Sequence, residues 1–238
     1  MLYLIGLGLD KKDISLKALE AIKKCKLVYL DIYTNVFHYK ISDLEKLIKK
    51  KIIKAERQMI EENEEILENA KKNDVALLVS GDPLAATTHI DMMLRAKKER
   101  IPVKAIHAPS IFTAISETGL QLYKFGKTAS IPLWTSSFKP ESFFDIIESN
   151  LKIKAHTLVL IDIGMSVNEA LKELSEISNK RNVKLKEIVI CERMGTDKSK
   201  ISYNKIEDLI KKKFTLPACI IIPSELHFME AEALKSFK

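Results

Sequence analysis

Five short apolar runs, LYLIG (2–6), LVYLD (27–31), KIIKA (51–55), VALLV (75–79) and VKAIH (103–107), punctuate the first half of the chain, with helix-spaced segments between them. This rhythm is what most constrains the fold. Strands covered by helices on both faces read as unbroken apolar runs. Strands that alternate with helices imply crossover units and a parallel sheet. The intervening segments carry helical spacing and suitable ends. SLKALEAIKKC (15–25) puts Leu16, Leu19, Ile22 and Cys25 on one stripe, with Asp13 or Ser15 available as the cap. EENEEILENAKKND (61–74) has its acids early and its lysines late, which suits the helix dipole. ISDLEKLIKK (41–50) and HIDMMLRAKKER (89–100) complete the set. Residues 1–112 are therefore expected to form one α/β domain with a parallel sheet flanked by helices.

After residue 107 the texture changes. APSIFTAISETGLQLYKFGKTASIPLW (108–134) mixes small residues, glycines and aromatics, and predicts a helix leaving the first domain and a strand near TASIP. Strand-like runs recur at TLVLIDI (157–163), EIVICE (187–192) and ACIIIP (218–223). Helical patterns lie at VNEALKELSEISNK (167–180), near KIEDLIKKK (205–213) and at LHFMEAEALKSF (226–237). Residues 113–238 are expected to be a second α/β domain with a mixed sheet and three helices. A ligand cleft is expected between the two domains.

Composition narrows the partners. The formal charge is +7, from 39 basic and 32 acidic residues, but only five of the basic residues are arginine. Forked guanidinium contacts to phosphates and bases are correspondingly scarce, so direct nucleic-acid binding is not expected. No apolar run nears the ~20 residues that span a bilayer, so no membrane association is expected. The first residues, MLYLIGLGLD, read as a strand rather than a secretory signal. Cys25, Cys191 and Cys219 lie far apart in apolar segments. They read as buried small hydrophobes, not as a zinc site or a disulfide framework, and a cytoplasmic setting fits them. No metal is expected.

Two loops carry chemistry. GLGLD (6–10) matches the first two glycines of a dinucleotide fingerprint, and Asp31 at the end of the second run could meet a ribose. The third fingerprint position is Lys11, so the match is incomplete. GDPLAATTH (81–89) follows the fourth run directly. Gly81 permits a tight turn, Pro83 fixes the next φ, and Asp82 is left at the tip. Asp82 can serve a ligand or simply cap its own turn.

Four stretches together resemble one family: YLIGLGLDKKDISLKALEAIKKC, GDPLAATTH, IHAPSIFTAISETGLQLYKFGKTASIP (106–132) and IIIPSELHFMEAEAL. They are similar to the tetrapyrrole-methylase-like (class III) methyltransferases, and GDPLAATTH and HAPSI…TGLQLYKFGKT are specific to their diphthamide branch. The resemblance implies two α/β domains that hold S-adenosylmethionine, usually in a homodimer. It implies translation elongation factor 2 as the substrate, methylated repeatedly on the amine of an aminocarboxypropyl-histidine to give diphthine. It also implies donor contacts at Leu9, Asp82, Ala85, Ser110, Ile111, Ile161, Met194 and Ala218, several of them through backbone.

Methyl transfer from a sulfonium is an in-line displacement. Alignment alone can supply ~7–11 kcal/mol of such a barrier, so no nucleophilic triad is required, and none is legible. The acceptor amine must still lose a proton. His89, His107 and Asp82 are the candidate bases, and Asp162, Glu192 and Arg193 are further cleft candidates. Tyr123, Lys124, Phe125 and Lys127 could contact a protein substrate or seal a dimer. Alternatives are another class III enzyme, acting on a corrin precursor or ribosomal RNA, and a donor-binding interaction protein without catalysis.

Overall fold

The structure is a computed structural model that describes residues 1–34, 36–62 and 64–238. The chain separates into two compact units, Met1–Phe112 and Thr113–Lys238.

The first unit runs β1 (Leu2–Gly6), α1 (Leu16–Lys24), β2 (Leu27–Asp31), α2 (Ile41–Ile48), β3 (Ile53–Ala55), α3 (Arg57–Glu61), α4 (Glu65–Lys72), β4 (Val75–Val79), α5 (His89–Lys98) and β5 (Val103–Ile106). Its five strands pair in the order β3-β2-β4-β1-β5, all parallel. The period of two sorts the side chains. Leu2, Leu4, Tyr29, Val75, Leu77 and Val79 pack with residues of α3, α4 and α5 on one face. Ile5, Val28, Leu30, Ala76 and Leu78 pack with α1 and α2 on the other. Each such aliphatic side chain stabilises the unit by roughly 1.5–3 kcal/mol on full burial.

Two details of this unit differ from the expectation. Of the expected stripe, Leu19, Ile22 and Cys25 do pack on the sheet, together with Ala18 and Ala21, while Leu16 is 79% exposed. Ser15 caps this helix by accepting from the Ala18 amide at 3.1 Å. Asp13 is used elsewhere. The acidic pattern over 61–74 yields α4 only from Glu65, because Glu61 closes the short α3; Asn63 lies outside the described residues.

A short helix, α6 (Ile111–Ala114), and two 3-10 turns, Ile115–Thr118 and Leu122–Lys124, lead into the second unit. There follow β6 (Ala129–Ile131), α7 (Ser142–Lys152), β7 (Thr157–Ile161), α8 (Val167–Lys180), β8 (Ile188–Glu192), β9 (Lys200–Asn204), α9 (Ile206–Leu209), β10 (Ala218–Ile222) and α10 (Phe228–Lys235). The sheet order is β6-β7-β10-β8-β9; β6 and β7 are parallel and the other pairs antiparallel, so the sheet is mixed. Helix α7 and strand β9 add to the elements read from sequence. The helix buries Phe143, Phe144 and Ile147 against this sheet, and the strand is a polar edge in which Ser202 and Tyr203 are buried. Helix α8 starts with a full capping box between Ser166 and Glu169. All three cysteines are buried free thiols, and burial pushes the Cys25 thiol up to about 11. Among the described residues no helix is long and apolar enough to cross a membrane.

Candidate functional site

The order of the first sheet dictates where a ligand can sit. From β1 the chain crosses toward β2, and from β4 it crosses the opposite way, over β1, to β5. Adjacent parallel strands whose connections leave in opposite directions open a crevice at their carboxyl ends, where α/β sheets bind ligands. Here the two sides of that crevice are GLGLD and GDPLAATTH. They are stitched together beyond the sheet by an antiparallel bridge. The Gly8 amide donates to the Gly81 carbonyl at 3.2 Å, and the Gly81 amide donates to the Gly8 carbonyl at 2.8 Å.

Two glycines are required by this geometry. A Cβ on Gly6 would lie 2.6 Å from the Gly81 oxygen and 2.8 Å from the Ala108 Cβ. Gly8 has φ +77°, and its Cβ would fall 2.2 Å from that of Asp13. Asp13 is near because its Oδ2 accepts the amides of Leu9 and Asp10, both at 2.9 Å. The neighbouring Asp10 contacts His38 Nε2 at 3.0 Å. Burial opposes its charge, yet His38 and the Lys12 amide hold its carboxyl below the usual range.

Asp82 ties the second loop to a third. Its Oδ1 accepts the Leu84 amide at 3.0 Å, the turn-capping role. Its Oδ2 lies 2.7 Å from His107 Nδ1 and 3.3 Å from the Ala108 amide, both on the loop after β5. Ser110 ends that loop and Ile111 opens α6, so Leu9, Asp82, Ala85, Ser110 and Ile111 all follow the carboxyl ends of β1, β4 and β5. Ala86 sits at φ +56°, a left-handed conformation uncommon outside glycine and frequent where a loop is held for a ligand.

Two candidate residues do not reach this crevice. His89 is fully buried, with Nε2 3.2 Å from Asp31 Oδ2, so it has no access to a substrate amine. Asp31 is 1% exposed and accepts from the Tyr33 amide at 2.7 Å, the Thr34 amide at 3.0 Å and the Thr34 hydroxyl. Burial raises its carboxyl, but His89, Thr34 and the two amides hold it below its ordinary range. With Asp31 consumed inside the loop, the ribose partner of the dinucleotide alternative is missing.

Comparison with known proteins shows the family to which the chain belongs. The family described as Tetrapyrrole (Corrin/Porphyrin) Methylases matches residues 1–210. The chain belongs to this family. Within it, the chain is 42% identical to diphthine synthase of Methanococcus maripaludis (strain C5) over 249 residues, covering 99% of this chain and 98% of the relative. It is 37% identical to the diphthine methyl ester synthase of Schizosaccharomyces pombe, covering 100% of this chain and 94% of that one. A crystal structure of a diphthine synthase superposes with TM-score 0.91 at 35% identity, over 100% of this chain and 96% of that one. The chain is thus a tetrapyrrole-methylase-family enzyme of the diphthine synthase kind, an S-adenosylmethionine-dependent methyltransferase.

In the second unit of this tetrapyrrole methylase, the remaining residues that the resemblance implied as donor contacts gather at one end of the sheet. Ile161 ends β7, Ala218 begins β10 opposite Glu192, and Met194 follows β8. The Arg193 amide donates to the Pro217 carbonyl at 2.8 Å, which joins the last two segments. Asp162 caps its own loop, accepting from the Ile163 amide at 2.9 Å. Glu192 is buried and takes the Thr215 amide at 2.6 Å, a structural use. In YKFGK, Lys124 is bound to the Glu225 carbonyl at 2.8 Å and to Glu230, and Phe125 meets His156 edge-on at 5.4 Å, so both serve the fold. Tyr123 is exposed. Sequence reasoning missed Asp13 and Asp10 as organisers of the first glycine loop. The signal was present in the DKKD spacing: Asp10 accepts the Lys12 amide two residues on, and Asp13 reaches back three and four residues to the amides of Asp10 and Leu9.

Proposed function

We propose that this chain is a diphthine synthase that methylates the amine of the aminocarboxypropyl-histidine on translation elongation factor 2, repeatedly, with the donor held at the crevice between β1 and β4. The observation that carries the placement is the Gly8–Gly81 bridge at the switch point, flanked by the anchored carboxylate of Asp82. Bound S-adenosylmethionine supplies a methyl group on a positively charged sulfur, already activated for displacement.

The residues fit such a ligand. Gly6 and Gly8 let backbone approach closely where a Cβ would collide, Ala85 and Ser110 are small, and Asp82 offers negative charge from a half-buried position. Leu9, Asp82, Ala85, Ser110 and Ile111 are the contacts in this unit. Their shared task is to fix the donor and exclude water, which is where catalysis of an alignment-limited displacement resides. The acceptor places the enzyme in the cytoplasm, and a homodimer is the expected assembly.

Transfer of labelled methyl from S-adenosylmethionine to purified elongation factor 2 carrying the aminocarboxypropyl-histidine tests the assignment. Label on that histidine is the expected result. Label on a tetrapyrrole or on ribosomal RNA instead, with none on the factor, overturns it. Calorimetry adds a binding readout: S-adenosylhomocysteine is expected to bind and NAD is not.

A further inference from the structure

The sequence has five histidines, and their surroundings differ sharply. His89 and His156 are fully buried. His38 contacts Asp10 through Nε2. His227 accepts the Met229 amide on Nδ1 at 3.4 Å, so its proton sits on Nε2 and the ring offers no lone pair outward. His107 is the opposite case. Its Nδ1 faces the Asp82 carboxylate at 2.7 Å, and the side chain is 69% exposed. A carboxylate only accepts, so Nδ1 carries a proton, and in the neutral ring the lone pair is then on Nε2, on a side chain open to solvent. Among the described residues no other ionisable side chain contacts His107. Asp82 is itself pinned by the Leu84 and Ala108 amides, so the imidazole is oriented from a fixed base. This is the arrangement of a general base with its orienting acid.

We propose that His107 is the catalytic base that deprotonates the acceptor amine, with Asp82 as its positioning residue. The inference rests on the methyltransferase function and the donor site proposed above. In each round, Nε2 takes a proton from the acceptor ammonium. The freed nitrogen lone pair forms the new N–C bond, and the electron pair of the breaking C–S bond stays on sulfur, which leaves a neutral thioether. The methylated nitrogen is again an ammonium and must lose a proton before the next round. An exposed imidazole can hand that proton to water and so resets itself between rounds. A buried base would not.

Single-turnover methyl transfer to aminocarboxypropyl-bearing elongation factor 2, followed against pH, tests this with His107→Asn and His107→Ala. Asparagine can keep the hydrogen bond to Asp82 but cannot take a proton. Both variants are expected to lose ~10²–10⁴-fold in rate near neutrality. Their rate should rise with pH only as the acceptor amine loses its proton to water, without the contribution of a protein base that the unaltered enzyme is expected to show; they should regain rate when imidazole is added and bind S-adenosylhomocysteine with unchanged affinity. Nitrogen NMR of the unliganded chain should show His107 protonated on Nδ1 and not on Nε2. An asparagine variant that matches the unaltered enzyme in rate and pH profile overturns the base assignment alone, and so does an Nε2-protonated ring. Absence of any transfer by the unaltered enzyme overturns the function and the base together.

Discussion

Gly6→Ala is expected to abolish binding of S-adenosylhomocysteine, measured by calorimetry, while leaving a folded protein. The added methyl would lie 2.6 Å from the Gly81 oxygen, 2.8 Å from the Ala108 Cβ and 3.0 Å from the Pro83 Cδ. Gly81 and Pro83 belong to the loop after β4, and Ala108 to the loop after β5. None of these is the far end of a flexible side chain, so relief requires the loops themselves to move. Overpacking of this kind typically costs 1–3 kcal/mol, about 1.4 kcal/mol of which is a factor of ten in an equilibrium. The stability loss should show as a melting temperature lower by roughly 2–12 °C. The binding loss should be larger than that figure suggests, at least about a hundredfold. The displaced atoms are the Gly8–Gly81 bridge and the Asp82–Ala108 contact, which define the crevice. A variant that binds S-adenosylhomocysteine as tightly as the unaltered chain would show that the donor sits elsewhere.

That collision also explains what was legible in the sequence and what was not. The strands of the first sheet were visible because burial on both faces writes itself as VALLV or LYLIG without interruption. The GDP loop was visible because Gly81 and Pro83 restrict the backbone locally. The link from Asp82 to His107 was not, because 25 residues separate them and β1 lies between their strands. Strand order is set by long-range packing and by the handedness of crossovers, and it leaves no mark at either position. Gly6 sits beneath that link, and the absence of its side chain is what lets the loops close over the end of β1. The same limit applied to Asp31 and His89. Each looks chemically able in isolation, and only the fold reveals that they face each other in the interior. Helix α7 was missed for a local reason: its start at Ser142 has no capping side chain, and Pro140 suggests a loop. Its Phe143, Phe144, Ile147 and Leu151 do carry helical spacing.

Removing the carboxylate of Glu230 is expected to destabilise the second unit strongly. The side chain is fully buried and satisfies four donors at once. Oε1 accepts from the Gln121 amide at 2.9 Å and from His156 Nε2 at 3.1 Å. Oε2 accepts from the His227 amide at 2.8 Å and from the Lys124 ammonium. The Ser224 amide donates to His156 Nδ1 at 2.9 Å, which fixes the proton on Nε2 and aims it at Glu230. One carboxylate therefore holds the start of α10, the Leu122–Lys124 turn and the strand-leading residue His156. Glu230→Ala would leave the buried His156 imidazole N–H without a partner and the half-buried Lys124 ammonium with only the Glu225 carbonyl. Breaking a buried ion pair from one side costs about 3–5 kcal/mol, which corresponds to a fall of ~6–20 °C in melting temperature at this chain length. The pH dependence gives a second signature. Burial alone would raise the Glu230 carboxyl, but Lys124, the two amides and His156 bring it down to about 2. Its folded value lies below its unfolded one, so its contribution is complete above the ordinary carboxylate range and is lost as the pH falls from there toward 2. Burial likewise lowers His156, so the unfolded chain takes up a proton first and stability falls as the pH drops through the ordinary histidine range. Denaturant titrations of both proteins across pH should show the difference between them shrinking between about pH 4.5 and 2. A difference that stays constant over that interval, or a melting temperature within about 2 °C of the unaltered chain, would mean that Glu230 does not hold this corner together.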